Sequence, residues 1–117
     1  MSELKIHVGE SRAAVGTRFL EAWKRAEAGE AMSERHLTFD TFETMTRVLT
    51  PKRLELLRHL HRQPSASVAA LSRAMKRDYK RVHEDVEALA SAGLIERAGN
   101  GTALTAPFDA IQTTIAM

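Results

Sequence analysis

Between residues 50 and 101 the chain carries three helix starts, three helix stops and a hairpin turn, in an order compatible with few folds. Thr50-Pro51 opens the first helix, with a capping threonine followed by proline at the first helical position. Leu54, Leu57, Leu60 and His61 are its expected inward residues, and Gln63-Pro64 stops it because proline cannot continue a helix. Ser65 or Ser67 caps the next helix, which turns Val68, Leu71 and Met75 inward. A break at Lys76-Arg77-Asp78 lets Asp78 cap a third helix with Tyr79, Val82, Val86, Leu89 and Ala90 inward, and Gly93 ends it. Leu94 to Arg97 reads as a strand, Ala98-Gly99-Asn100-Gly101, with its Asn-Gly pair, as the hairpin turn, and Thr102 to Leu104 as the returning strand. Three helices followed by a two-stranded hairpin imply an α+β fold, mainly α: a winged helix-turn-helix over residues 49–106.

The flanks differ in pattern. Residues 3–8 alternate polar and apolar with Leu4, Ile6 and Val8 on one face, a strand closed by Gly9. Ser11 then caps a helix over 12–28 whose stripe is Val15, Phe19, Ala22, Trp23 and Ala26. His36 to Phe39 is a second short strand, and Asp40 with Glu43 matches a capping box for a helix bearing Phe42, Met45 and Leu49. Residues 1–48 therefore form a strand-helix-strand extension, expected to serve dimerisation or partner binding. Residues 107–117 form a terminal strand or tail, and 3–8 is expected to pair with 111–115 within or between chains, with the 12–28 helix packed across them.

Charge is unevenly distributed. Residues 51–83 hold nine Lys or Arg against two acids, residues 1–50 seven against eight, and residues 84–117 only Arg97 against five acids. A cationic block of this kind suits a polyanion or forms a solvated basic face. The chain has no cysteine, which excludes disulfides and thiolate metal sites and fits a reducing cytoplasm. Met1 to Gly9 lacks the pattern of a signal peptide, and no apolar run is long enough to cross a bilayer, so cytoplasmic localisation without membrane association is expected. No phosphate-cradling glycine loop, Gly-x-Ser-x-Gly or His-Glu-x-x-His is present, and His59 and His61 are badly spaced for a shared metal. The expectation is a non-enzyme without cofactor or metal.

In a helix-turn-helix the third helix enters the major groove with its N-terminal residues leading. Its polar positions here are Lys80, Arg81, His83, Glu84 and Glu87, with Lys76 and Arg77 in the preceding turn. Lys and Arg donate to guanine O6 and N7, and a glutamate accepts from cytosine N4 or orients Lys80 one turn away. Backbone N–H groups at both helix N-termini, the first capped near Ser67, point toward phosphates.

The runs Leu49-Thr-Pro-Lys-Arg-Leu-Glu-Leu-Leu, Ser67-Val-Ala-Ala-Leu-Ser-Arg-Ala-Met, Arg77-Asp-Tyr-Lys-Arg-Val-His-Glu-Asp-Val-Glu-Ala-Leu and Ala92-Gly-Leu-Ile-Glu-Arg resemble MarR-like winged-helix regulators. More closely, the chain looks like small DNA-binding proteins encoded beside a toxin, which act as antitoxins and repress their own operon. The resemblance implies that Tyr79, Lys80, Arg81, His83 and Glu84 face the groove or its phosphates, and that Arg97 and Asn100 lie on the wing near the backbone or minor groove. The chain lacks the long flanking dimerisation helices of larger MarR regulators and offers no clear pocket for a phenolic effector. The expected function is sequence-specific binding of double-stranded DNA by a homodimeric transcriptional regulator, a repressor, with a cognate toxin as protein partner. The competing class is a protein-interaction module that uses the winged helix to bind a protein.

Overall fold

The computed structural model describes residues 2–9, 20–21 and 34–117. The expected helix at 12–28, with Trp23, lies outside the described residues apart from Leu20 and Glu21. The chain is α+β and divides into two compact units, Met1–Met45 with Asp109–Met117, and Thr46–Phe108.

The first unit is built on a three-stranded parallel sheet in the order β2-β1-β5, with β1 at Glu3–Val8, β2 at Glu34–Phe39 and β5 at Ala110–Ile115. Leu4 pairs with Arg35 and Ile111, and Val8 pairs with Phe39 and Ile115. The predicted alternation holds in β1: Leu4, Ile6 and Val8 are buried between less buried neighbours. Parallel neighbours cannot be joined by a tight turn, and the long stretch from Gly9 to Ser33 allows the crossover from β1 to β2. The pairing of 3–8 with the C-terminal stretch thus occurs within one chain, and the terminal segment is a full strand of this sheet.

After β2, helix α1 spans Phe42–Val48. Its cap is Thr41 rather than the expected Asp40: the Thr41 hydroxyl accepts from the Thr44 backbone N–H at 3.2 Å. Thr41 and Thr44 also join their hydroxyls at 2.9 Å, so a threonine pair does the work expected of the carboxylates.

The second unit contains α2 at Pro51–Arg62, α3 at Val68–Met75, α4 at Tyr79–Ser91 and an antiparallel hairpin of β3, Glu96–Ala98, and β4, Ala103–Thr105. Each helix begins where the sequence places its cap. Thr50, Ser67 and Asp78 accept from the backbone N–H groups of Arg53, Ala70 and Arg81. The core comes from Leu56, Leu57 and Leu60 of α2, Leu71 of α3, Val82, Val86 and Leu89 of α4, and Leu94, Ile95 and Leu104 around the hairpin. Three inward assignments change. Leu56, not Leu54, is fully buried, His61 is exposed, and Tyr79 is 53% exposed. The His61 ring nonetheless meets the Ala106 carbonyl at 2.8 Å through Nδ1.

The hairpin has its loop one residue further along than the expected Ala98 to Gly101. Its last pair is Ala98 with Ala103, so residues 99–102 form the loop. Gly99 and Gly101 both take positive φ, 63° and 84°, and the Gly101 N–H closes a turn onto the Ala98 carbonyl at 3.1 Å. Glycines on both sides of Asn100 spread the reversal over four residues. Ahead of α3, Ser65 exchanges two backbone hydrogen bonds with Leu104, at 3.0 and 2.7 Å, which ties the α2–α3 connection to β4.

Two helices end in the same way. At α4, Leu94 N–H reaches the Leu89 carbonyl and Gly93 N–H the Ala90 carbonyl, with Gly93 at φ 89°. At α3, Arg77 N–H reaches Ser72 and Lys76 N–H reaches Arg73, but the left-handed position is held by Lys76 at φ 56°. A side chain with a Cβ is strained there. Lys76→Gly is therefore expected to raise stability by about 0.5–1 kcal/mol, read as a higher midpoint in denaturant unfolding with an unchanged slope. A loss of stability would show that Lys76 makes compensating contacts.

Candidate nucleic-acid interface

Helix α4 has two different sides. Val82, Val86 and Leu89 are 0% exposed, at spacings of four and three along one face. Tyr79, Lys80, Arg81, His83, Glu84 and Glu87 are exposed on the remaining surface. The capped start of α4 follows α3 after only Lys76, Arg77 and Asp78, so the exposed first turn of α4 lies beside the exposed Arg73 and Lys76 at the end of α3 in sequence.

The side chains at this end are not equally available. Lys80, Arg81 and Glu84 have no side-chain hydrogen bond or ion pair among the described residues, so the expected Lys80–Glu84 pair is not formed. The Tyr79 and His83 rings stack with centroids 5.9 Å apart. His83 Nε2 lies 3.8 Å from the Glu87 carboxylate, one turn further along. Glu87 in turn accepts a hydrogen bond from the Arg97 guanidinium on β3. Tyr79, His83, Glu87 and Arg97 thus form a continuous line from the start of α4 to the hairpin. Arg97, expected at a nucleic-acid backbone, is engaged by Glu87, while Asn100 is exposed at the hairpin tip. The Ser67 hydroxyl is committed as a cap to the Ala70 N–H.

Arg77 departs furthest from its sequence expectation. Its side chain is only 18% exposed, and its Nη2 donates to Asp85 Oδ2 at 2.8 Å. Asp85 Oδ1 accepts from Arg53 Nε at 3.0 Å, and Arg53 Nη1 donates to the Arg47 and Val48 carbonyls at 2.9 and 3.0 Å. One carboxylate therefore joins the turn before α4, the first turn of α2 and the carbonyls at the end of α1. A cation at those carbonyls is favourable, because a helix C-terminus carries partial negative charge. Arg77 Nη1 is buried without a hydrogen-bond partner among the described residues. Arg53 and Asp85 were not legible as partners, since they are 32 positions apart.

Among the described residues no group of three or more His, Cys, Asp or Glu is placed to hold a metal ion. Among the same residues no helix is long and apolar enough to cross a membrane.

Removing the shared carboxylate would leave two mostly buried arginines facing each other. Asp85→Ala is expected to cost about 2–4 kcal/mol of stability, measured by urea unfolding. A cost under roughly 0.5 kcal/mol would place the pair among ordinary surface ion pairs. A second expectation concerns Glu87. The Arg97 hydrogen bond, opposed by desolvation and helped by the nearby charges of Arg97 and His83, holds its carboxyl below the usual carboxylate range. The folded state therefore favours the ionised form, and this contribution is present above the unfolded-state value and lost as pH falls through the depressed one. In an NMR titration of the side-chain carboxyls, Glu87 should titrate below the usual carboxylate range, and Arg97→Ala should bring it back toward that range. An unmoved Glu87 titration would show that the contact does not persist in solution.

No curated protein and no solved structure matches the chain. The HVO_A0114 family matches residues 48–113, which spans nearly all of the second unit and the first part of β5, more than half of the chain. The chain belongs to the HVO_A0114 family.

Proposed function

We propose that the Thr46–Phe108 unit is a winged helix-turn-helix, with α3 and α4 as the helix pair and β3–β4 as the wing, and that the protein is a sequence-specific double-stranded DNA-binding regulator of transcription. One observation carries this reading. The first two turns of α4 present Tyr79, Lys80, Arg81, His83 and Glu84 to solvent, while Val82, Val86 and Leu89 are sealed behind them. A major groove admits one helix, and cationic side chains at its leading end meet guanine edges and flanking phosphates.

The roles divide by how each side chain is held. Lys80 and Arg81 are unengaged cations and make the contacts. Tyr79 and His83, stacked on each other, present a flat edge beside them. Arg77 acts through Asp85 by setting the angle at which α4 leaves its turn, rather than by touching DNA. Asn100 at the hairpin tip reaches toward the backbone or minor groove, and Arg97 braces the hairpin against α4. Occupancy of a promoter by such a unit excludes polymerase, so repression is the proposed outcome.

The test is an electrophoretic shift with DNA from upstream of the protein's own gene, beside a random duplex of equal length. Binding should weaken steeply with salt, because Lys and Arg displace condensed counterions. Lys80→Ala and Arg81→Ala should each cost about 1–3 kcal/mol on the specific site if the side chain reads a base. An equal loss on both duplexes assigns the residue to phosphate. Absence of any shift at low salt would contradict the proposal.

A further inference from the structure

We propose that the open edge of β5 is a self-pairing surface, at which a second copy of this chain adds its own β5 antiparallel about Thr113 and the two sheets become one sheet of six strands. The sheet order β2-β1-β5 puts β5 at an edge, and all of Gln112 to Ile115 is exposed, Ile115 to 47%. An exposed edge of this length with unmet backbone groups is a pairing template unless something blocks it. The usual blocks are charges, prolines and bulges. From Ala110 to Met117 the sequence has no Lys, Arg, Asp, Glu or Pro, whereas β2 on the opposite edge carries Glu34 and Arg35.

Backbone direction and side-chain facing then agree on one kind of register. Ala116 N–H donates to the Val8 carbonyl at 2.9 Å. Along a strand these groups alternate sides, so Thr114 and Gln112 also turn toward β1, and Ile111, Thr113 and Ile115 point their N–H and C=O groups at the open edge. A two-fold axis through Thr113, normal to the sheet, sets Thr113 opposite Thr113 of the second copy and Ile111 opposite its Ile115. Those are the residues whose backbone groups are available, and their side chains fall on the face that carries Leu4, Ile6 and Val8. The apolar pair meets on the core side, Gln112 meets Thr114 on the other side, and no like charges face each other. A register shifted by one residue would put isoleucine opposite a residue of the wrong face.

The charge argument favours a copy of this chain over a charged partner strand, which would gain nothing from a neutral edge. Five paired residues on each strand, 111–115, bury less than a standard interface, so dissociation is expected on the order of 1–10 µM. This proposal does not rest on DNA binding: it is read from mass, the other from a gel shift, and either can fail alone.

The experiment is native mass spectrometry with sedimentation equilibrium on the full chain, using wild type, Thr113→Lys and Thr113→Glu. Thr113 is exposed, so neither change disturbs a core. Wild type should be dimeric, and each variant should dissociate at least about tenfold more readily because like charges meet across the axis. An equimolar mixture of the two variants should recover a dimer containing one of each. A wild-type monomer up to about 100 µM would overturn the proposal. So would variants that dimerise as wild type does, or a mixture that stays monomeric.

Discussion

The second unit depends on the sharing of Asp85 between Arg53 and Arg77. All three side chains are 14–19% exposed, so the charges attract in surroundings where water screens them little. Each would be costly to bury alone. Together they join three places distant in sequence: the carbonyls that end α1, the capped start of α2 and the turn that launches α4. The turn has a strained element at Lys76, and the Arg77 clamp immediately follows it. A strained residue persists where its surroundings fix it, and the Asp85 carboxylate supplies that constraint.

The consequence is a division of labour along α4. Its valines and leucine face a closed apolar interior, and its charged residues fall into two groups. Asp85 is turned toward the arginines, and Glu87 is held by Arg97 and neighboured by His83. Asp85 and Glu87 are thereby matched by cations, and Glu84 alone of the three acids is left unpaired among the described residues. Lys80 and Arg81 keep their charge unneutralised within the described residues. The positive character proposed for the DNA-facing surface thus follows from how the carboxylates are spent as much as from the number of cations.

Much of the second unit was legible because helix ends are chemically marked. Thr50-Pro51, Gln63-Pro64, Ser67, Asp78 and Gly93 each gave a boundary the structure keeps, since caps and breakers act through local hydrogen bonds and fixed dihedrals. Strand β1 was legible for the same local reason, its alternation being complete. The errors arise where a longer-range term decides. Thr41 displaced Asp40 as a cap because Thr44 offered it a hydroxyl partner. Tyr79 was assigned inward by period but stacks on His83 at the surface. Arg77 was read as a free cation because its partner, Asp85, is eight residues on, and the second arginine on that carboxylate is in another helix. Of the partners of β1, the stretch 111–115 was expected, whereas the pairing with β2 was hidden, as parallel neighbours need not be close in sequence.

The account's central claim is that the leading end of α4 is the surface that meets DNA. Backbone amide shifts followed by NMR, while duplex DNA from upstream of the gene is added, test it most directly. The claim predicts the largest changes at Tyr79 to Glu84, with smaller ones near Ser67 and Asn100 and little at Val86 to Ala90. Changes concentrated instead on the outer face of α2, around Lys52, Arg58 and Arg62, or along β5, would contradict it.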